Sequence, residues 1–150
     1  MNNLDLKDRV AIITGGAQGF GLAISKRIIQ SGGKVVIWDI DEIAVEAALK
    51  EINSNDLSFK KVDVTNFEEI EIALLETENE LGKIDLFVNN AGITGMNAKV
   101  WDYPLDEWKK VIELDLNSTF YCCKAVVPHM IKNNYGSCLL YTSPSPRDPE

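Results

Sequence analysis

The sequence predicts an α/β protein in which helices cover both faces of one parallel, doubly wound sheet. Short β-branched segments alternate with longer segments of helical periodicity from about residue 9 to residue 132. Such alternation is typical of parallel strands joined by right-handed crossovers. In addition, the first strand-like segment runs directly into a glycine-rich turn and then into a helix, as in sheets that bind phosphate groups. The expected strand order is 3-2-1-4-5, with a ligand lying across strands 1 and 4.

The individual elements follow from the same periodicity. Apolar runs predict strands near 9–14, 34–39, 57–63, 84–89 and 136–141. Helical periodicity predicts helices near 19–32, 41–53, 66–81 and 106–132. No linker, repeat or low-complexity segment interrupts this alternation before the end of the chain. We therefore expect one domain with one core.

The turn that follows the first strand has glycines at positions 15, 16, 19 and 21, in the spacing T-G-x-x-x-G-x-G. Glycine allows tight turning, close approach of the backbone to a phosphate and tight packing of helix on strand. Backbone N–H groups at the start of the helix would bind a pyrophosphate. The residues predicted to do so, or to shape the loop, are Gly15, Gln18, Gly19, Phe20 and Gly21.

Asp39 ends the second strand-like run, 18 residues beyond Gly21. A carboxylate about 20 residues after a glycine turn is where a dinucleotide's adenosine ribose is bound. The alternative is that an aspartate here only caps the next helix, which we expect Asp41 to do. No Arg or Lys occurs among residues 37–45 to receive a 2′-phosphate. The sequence therefore predicts that NAD(H) is preferred over NADP(H).

Three further segments match one family: DV at 63–64, NNAG at 89–92 and VIELDLNSTFYCCKAVVPHM at 111–130. Together with the glycine turn, they make the chain resemble the short-chain dehydrogenase/reductase family over about residues 5–137. The resemblance implies a Rossmann-type fold, an NAD(P) cofactor and a homodimeric or homotetrameric oxidoreductase. It also implies that Asp63 and Val64 contact the adenine, and that Asn90, Ala91 and Gly92 flank the nicotinamide.

The resemblance implies hydride transfer between the nicotinamide and a secondary alcohol or ketone. A reductase of 3-oxoacyl thioesters, as in 3-oxoacyl-(acyl-carrier-protein) reductase, is the preferred interpretation, and a sugar or polyol dehydrogenase is the alternative. A non-catalytic dinucleotide sensor is the alternative from another class. A pure scaffold protein is disfavoured, because it would have no use for the glycine turn or for NNAG.

The catalytic residues of the family are not found in this sequence. The family uses a serine, a tyrosine as general acid/base and a lysine four residues after the tyrosine. No Tyr-x-x-x-Lys occurs here, so no catalytic residue is assigned, and the chain alone is expected to bind the cofactor poorly and to be inactive. The family's catalytic asparagine, which kinks this helix, aligns with Asp115, so the resemblance implies that the helix is kinked or built from two parts there. Asn117 lies about 200° further around the helix and cannot replace it.

The last residues depart from the family pattern. Residues 138–150 contain prolines at 144, 146 and 149, which cannot donate to a strand ladder. Ser143 falls near the register of the family's serine, which we interpret as coincidence. The segment resembles translated sequencing adapter, with a genuine proline-rich tail as the alternative. We expect residues 1–137 to be an incomplete Rossmann domain, truncated after about the fifth strand of a longer enzyme.

Composition excludes several function classes. The net charge of −8 argues against nucleic acid or an anionic membrane as a partner. No run of 18 apolar residues and no signal-peptide pattern occurs, so a cytoplasmic protein is expected. The three cysteines and His129 have no evident partners for a disulfide or metal site, and His129 is expected at the surface. Trp101 and Tyr103 either line a substrate entrance or serve packing.

Overall fold

A computed structural model describes residues 4–140. Its strands are β1 (Val10–Thr14), β2 (Lys34–Asp39), β3 (Leu57–Lys61), β4 (Leu86–Asn89) and β5 (Ser137–Leu140). Its helices are α1 (Gly19–Gln30), α2 (Glu42–Ile52), α3 (Phe67–Leu81), α4 (Leu105–Ile112) and α5 (Ser118–Lys132). All strand pairs are parallel, in the order β3-β2-β1-β4-β5. The predicted Rossmann-type, doubly wound fold is confirmed.

The sheet is covered on both faces because side chains alternate along each central strand. On one face, Ile12, Trp38 and Phe87 pack with buried residues of α3 and α5. On the other face, Ile13 and Ile37 pack with buried residues of α1 and α2. β1 is buried along its whole length, so both layers of helices are anchored on the same central strand.

β3 ends two residues before its predicted bound, and β4 begins two residues after its predicted bound. β3 ends at Lys61 instead of 63, because the chain turns at Asp63 toward α3. β4 begins at Leu86 instead of 84. The reason is Asp85, whose buried carboxylate accepts hydrogen bonds from the neighbouring strand in place of continuing the apolar pattern. β5 extends to Leu140, past the boundary placed at residue 137. Ser143 and the prolines of the tail lie outside the described residues.

The helix predicted over 106–132 consists of α4 and α5 joined by one π-helical segment, Glu113–Asn117. Asp115 lies in this segment, so the kink falls where the sequence predicts it. π-Helical turns interrupt α-helices mostly at functional sites. Here the segment carries Asp115 to the edge of the site described below.

The expectation that His129 lies at the surface was wrong, and two cysteines lie closer together than the sequence suggests. His129 is only 19% exposed, and its Nδ1 lies 3.0 Å from Glu78 Oε2, because α5 packs on α3. The Sγ atoms of Cys123 and Cys138 lie 3.6 Å apart, because α5 packs beside β5, although both thiols are free. Burial raises the pKa of Cys138 to about 12.

Candidate functional site

A cavity of about 490 Å³ lies at the carboxyl ends of the central strands. Its position is the switch point, where β1 pairs with β2 on one side and β4 on the other. Ten of the eleven residues predicted from the sequence line it: Gly15, Gln18, Gly19, Phe20, Asp39, Asp63, Val64, Asn90, Ala91 and Gly92. Five others in the lining were not foreseen: Trp38, Ile40, Val62, Ile93 and Leu114.

Gly21 lies outside the cavity lining and is buried against the turn. A Cβ at this position would lie 2.2 Å from Gly15 O and 2.6 Å from Asn90 Nδ2. Gly15 has a φ of 61°, and a Cβ there would lie 3.0 Å from Ala91 Cα. These two glycines therefore allow the turn to pack directly on the loop after β4, as close packing of helix on strand requires.

The N-terminus of α1 opens onto the cavity without a capping side chain. Gln18 precedes the helix in an extended conformation and makes no side-chain cap, and the first turn contains no acidic residue. By contrast, Asp41 caps α2, as expected, and Asn66 caps α3. No Lys or Arg occurs among the lining residues. An anion at this end of α1 would be bound by backbone N–H groups and the helix dipole.

Asp39 joins the glycine turn to the start of α2. Its Oδ2 accepts a hydrogen bond from Ala17 N at 3.4 Å, and its Oδ1 accepts one from Asp41 N at 3.1 Å. Lys61 lies beside it in the strand register. However, the Lys61 ammonium pairs with Glu42 at 3.1 Å. The carboxylate of Asp39 therefore faces the cavity without a basic lining residue beside it.

Asp63 and Val64 form the wall on the β3 side. Asp63 Oδ1 accepts hydrogen bonds from Thr65 N at 2.9 Å and from Thr65 Oγ1 at 2.7 Å, which holds this carboxylate in place. Val62 and Ile40 add apolar surface beside it. A polar edge next to an apolar wall suits a flat heterocyclic ring. Val62 and Ile40 could have been predicted to line the cavity, because each directly follows the end of a strand.

Asn90 holds the glycine turn from the opposite side. Its Nδ2 donates to Thr14 O and to Gly15 O, both at 3.0 Å. Thr14 Oγ1 in return accepts from Asn90 N at 2.9 Å and from Ala91 N at 3.0 Å. The sequence did not single out Thr14. The available signal was that Thr14 is a polar residue that ends an apolar strand directly before the first glycine. The side chain of Asn90 thus positions the backbone that lines the cavity.

Asp115 reaches the same edge of the cavity from the π-helical segment. Its Oδ1 accepts a hydrogen bond from Ile93 N at 2.9 Å. Asn117 turns away and donates to Glu113, which also accepts from Tyr121 Oη at 3.1 Å. This hydrogen bond to Glu113 raises the pKa of Tyr121. The structure therefore brings Asp115 to the site and leaves Asn117 outside it.

A second cavity of about 540 Å³ lies between α4 and the loop after β4. Its lining is Thr94, Ala98, Val100, Tyr103, Leu105, Trp108 and Val111. Tyr103 Oη accepts from Met96 N at 3.2 Å, so this ring shapes the loop. Trp101 is 76% exposed and does not line the cavity. Of the two aromatic residues considered for an entrance, only Tyr103 lines this cavity.

Within residues 4–140, no helix combines the length and the apolar character needed to cross a bilayer. The same range holds no cluster of three or more His, Cys, Asp or Glu side chains suited to a metal ion.

The family model described as short chain dehydrogenase matches residues 9–149. This match extends beyond residue 137, at which the resemblance carried by the sequence motifs ends. The 2-dehydro-3-deoxy-L-rhamnonate dehydrogenase (NAD(+)) of Sphingomonas sp. (strain SKA58) is 40% identical over 85% of this chain and 51% of its own length. The 3-oxoacyl-(acyl-carrier-protein) reductase FabG of Chlamydia pneumoniae is 34% identical over 91% of this chain and 56% of its own length.

Among solved structures, NAD+-bound xylitol dehydrogenase is similar with a TM-score of 0.82 and 31% identity. The similarity covers 89% of this chain and 52% of that one. The chain thus spans about half the length of the relatives that it matches.

Proposed function

Because the chain belongs to the short chain dehydrogenase family, we propose that its cavity binds NAD(H) for hydride transfer between a secondary alcohol and a ketone. The nicotinamide supplies the hydride acceptor or donor when it is bound. One observation carries the proposal most directly. Asp39 faces a cavity at the switch point whose lining contains an uncapped helix N-terminus and no basic side chain.

The residues of the cavity suit a dinucleotide at each of its parts. Backbone groups of the glycine turn and of the start of α1, among them Gly15, Gly19 and Phe20, bind the pyrophosphate at the uncapped end of the helix. Asp39 accepts hydrogen bonds from the ribose hydroxyls. Asp63 and Val64 contact the adenine, and Asn90–Gly92 flank the nicotinamide. These roles extend the family resemblance to positions that meet in one cavity.

The preference for NAD(H) follows from charge. A ribose 2′-hydroxyl can donate to Asp39, whereas a 2′-phosphate would bring like charges together. Two unit charges about 4 Å apart interact by roughly 4 kcal/mol at an effective dielectric constant of 20. Solvent and rearrangement reduce this energy, but a remainder of about 1.4 kcal/mol already gives a tenfold preference. Lys61, the nearest cation in the strand register, is paired with Glu42.

The substrate of the whole protein is a small carbonyl compound or alcohol. A 3-oxoacyl thioester is the first candidate, since the second cavity is lined mainly by apolar side chains that suit an acyl chain. A sugar or polyol is the second candidate. It is supported by the relatives named for a deoxy sugar acid and for xylitol.

Catalysis requires residues that this chain does not contain. The sequence has no Tyr-x-x-x-Lys, so we expect the chain to bind the cofactor without turning over substrate. In this proposal the nucleotide-binding domain includes β5, whose residues Ser137–Leu140 pair with β4, so it extends past the boundary predicted at residue 137. A whole protein that also lacked the tyrosine and lysine would favour the dinucleotide sensor instead. The active form would be a homodimer or homotetramer.

The test is the affinity of the chain for NAD+ and NADP+, measured by titration calorimetry. NAD+ is expected to bind at least about tenfold more tightly. Asp39→Ala should narrow this ratio, because it removes the repelling charge. Asp56→Ala, at an exposed residue before β3 and at the opposite ends of the strands, should leave the ratio unchanged. Equal or tighter binding of NADP+, or no binding of either nucleotide, would overturn the proposal.

A further inference from the structure

The Asp115 carboxylate lies behind one wall of the cavity and is not among its lining residues. Its Oδ1 lies 2.9 Å from Ile93 N. A Cβ on Gly92 would lie 3.2 Å from the same oxygen. Both Gly92 and Ile93 line the cavity. The carboxylate therefore lies directly behind the backbone that forms this wall.

The charge of this carboxylate is not neutralised by a neighbouring cation. Within residues 4–140, the ion pairs involve other acidic residues, and no Lys, Arg or His nitrogen lies within 4.0 Å of Asp115. The cavity lining also contains no Lys, Arg or His. The hydrogen bond from Ile93 N fixes the direction of the Asp115 carboxylate and brings no cation to it.

The topology determines which part of a dinucleotide meets this charge. Asp39 ends β2 and Asp63 follows β3, both on one side of the switch point. Asn90–Ile93 follow β4, on the other side. A dinucleotide lies across the switch point with its pyrophosphate at α1. With the adenosine on the β2 side, the nicotinamide falls on the β4 side, next to the Asp115 carboxylate.

We propose that Asp115 makes this site prefer the oxidised cofactor, a preference that rests on the proposed binding of NAD(H). The oxidised nicotinamide ring carries one positive charge and the reduced ring carries none, while the rest of the molecule is the same. A carboxylate beside the ring therefore stabilises bound NAD+ and has little effect on bound NADH. A unit charge about 6 Å away in a water-like dielectric changes the ratio of the two affinities about threefold.

The experiment measures the dissociation constants of NAD+ and NADH for the chain by titration calorimetry. Asp115→Asn retains an oxygen that accepts from Ile93 N but removes the charge. We expect it to lower the ratio of Kd for NADH to Kd for NAD+ about threefold. The matched control is Asp106→Asn, which removes an equal charge from α4 at a side chain that is 88% exposed. The control should leave the ratio unchanged.

The outcomes separate this inference from the proposed function. An unchanged ratio in Asp115→Asn, or an equal fall in Asp106→Asn, overturns the role of Asp115 while the binding of NAD(H) stands. No binding of either nucleotide to the unsubstituted chain overturns both. If Asp115→Asn does not fold, the unsubstituted chain still provides the test. Its ratio must fall as salt is raised toward about 1 M, where the Debye length is about 3 Å, and a constant ratio overturns the inference.

Discussion

At the scale of single residues, the site is held by hydrogen bonds between backbone segments that are far apart in the sequence. Four hydrogen bonds join Thr14 and Gly15, at the end of β1, to Asn90 and Ala91, in the loop after β4. These bonds leave the glycine turn with little freedom to rearrange. The cavity is thus formed before any ligand enters, which lowers the entropic cost of binding.

Two glycines of the turn should respond differently to substitution. Gly21→Ala should lower the free energy of unfolding by about 3 kcal/mol, because its Cβ would overlap Gly15 O at 2.2 Å. In Gly19→Ala the added Cβ would have no atom within 4 Å, so the φ of 51° is the only unfavourable factor. Its cost should be about 1 kcal/mol. Urea denaturation followed by circular dichroism measures both values. Equal losses would show that the close contact at Gly21 relaxes.

The sequence predicts the residues of this site better than their roles. Glycines and a carboxylate at a fixed spacing are recognisable because backbone geometry requires those residue types. The amide of Asn90, however, points to Thr14 and Gly15, which lie 76 and 75 positions earlier in the chain, respectively. Such a partner depends on how β4 is placed beside β1, and local pattern carries no information about it.

At the scale of elements, Asp85 joins the amino-terminal ends of the strands. Its carboxylate accepts hydrogen bonds from Val10 N and Arg9 Nη1, both at 2.9 Å, and Lys83 Nζ lies 3.2 Å away. Its own backbone oxygen accepts from Ser137 N at 2.9 Å. One residue therefore joins β1, β4 and β5. Burial alone would raise the pKa of Asp85, but the hydrogen bonds from Val10, Arg9 and Lys83 outweigh it and lower the pKa.

The lowered pKa of Asp85 predicts how stability depends on pH. Its contribution is fully present above its ordinary pKa of 3.8 and is lost as the pH falls through the lower pKa of the folded state. Asp85→Asn should cost about 2 kcal/mol at neutral pH, because Val10 and Arg9 lose a charged acceptor. It should also flatten the decline of stability in acid.

Urea denaturation from neutral pH to below pH 3.8 measures this effect. Asp56→Asn, at an exposed aspartate, is the control and should retain the acid decline of the unsubstituted chain. A decline that is equally steep in Asp85→Asn would contradict this role of Asp85.

The elements themselves could be predicted where one periodicity dominates. β2 matches its predicted bounds at Lys34–Asp39 because four of its six residues are buried and β-branched or aromatic. β4 was placed two residues too early, since Ile84 continues the apolar pattern while the tertiary contacts of Asp85 interrupt the strand. The kink near Asp115 was foreseen from the family resemblance rather than from periodicity. Helical spacing alone does not reveal a π-helical segment.

At the scale of the whole molecule, the two helical layers differ in their outer surfaces. On the layer formed by α3 and α5, with the π-helical segment before α5, large apolar side chains remain exposed. Phe120 and Leu116 are each 62% exposed, and Ile131 is 69% exposed. Leu116 and Phe120 lie four positions apart and so share one face of the helix. Exposed apolar patches of this kind mark surfaces that associate.

We therefore expect the chain to self-associate through this surface. Phe120→Glu should lower its average mass in sedimentation velocity runs at a given concentration. Ile43→Glu is the matched control, because Ile43 is 85% exposed but lies on α2, in the opposite layer. A chain that is monomeric at every concentration, or an equal effect of both substitutions, would contradict this expectation.

The order of the strands could be predicted because the glycine turn and the loop NNAG both must lie at the switch point. The exposed surface of α5 could not be predicted from the sequence, since exposure depends on which elements cover a helix. The sequence shows only that its apolar positions extend around more than one face.

The central claim is that the cavity at the switch point binds NAD+, and backbone amide chemical shifts test it most directly. Titration of the ¹⁵N-labelled chain with NAD+ should shift saturably the amides of Gly15–Gly21, Asp39, Asp63 and Asn90–Ile93. These residues line one cavity or, like Gly21, pack directly behind its lining, although they come from four separate parts of the sequence. Amides of α5 that do not face the cavity should remain unchanged. Shifts confined to α4 and α5, or no saturable shift at any residue, would contradict the account.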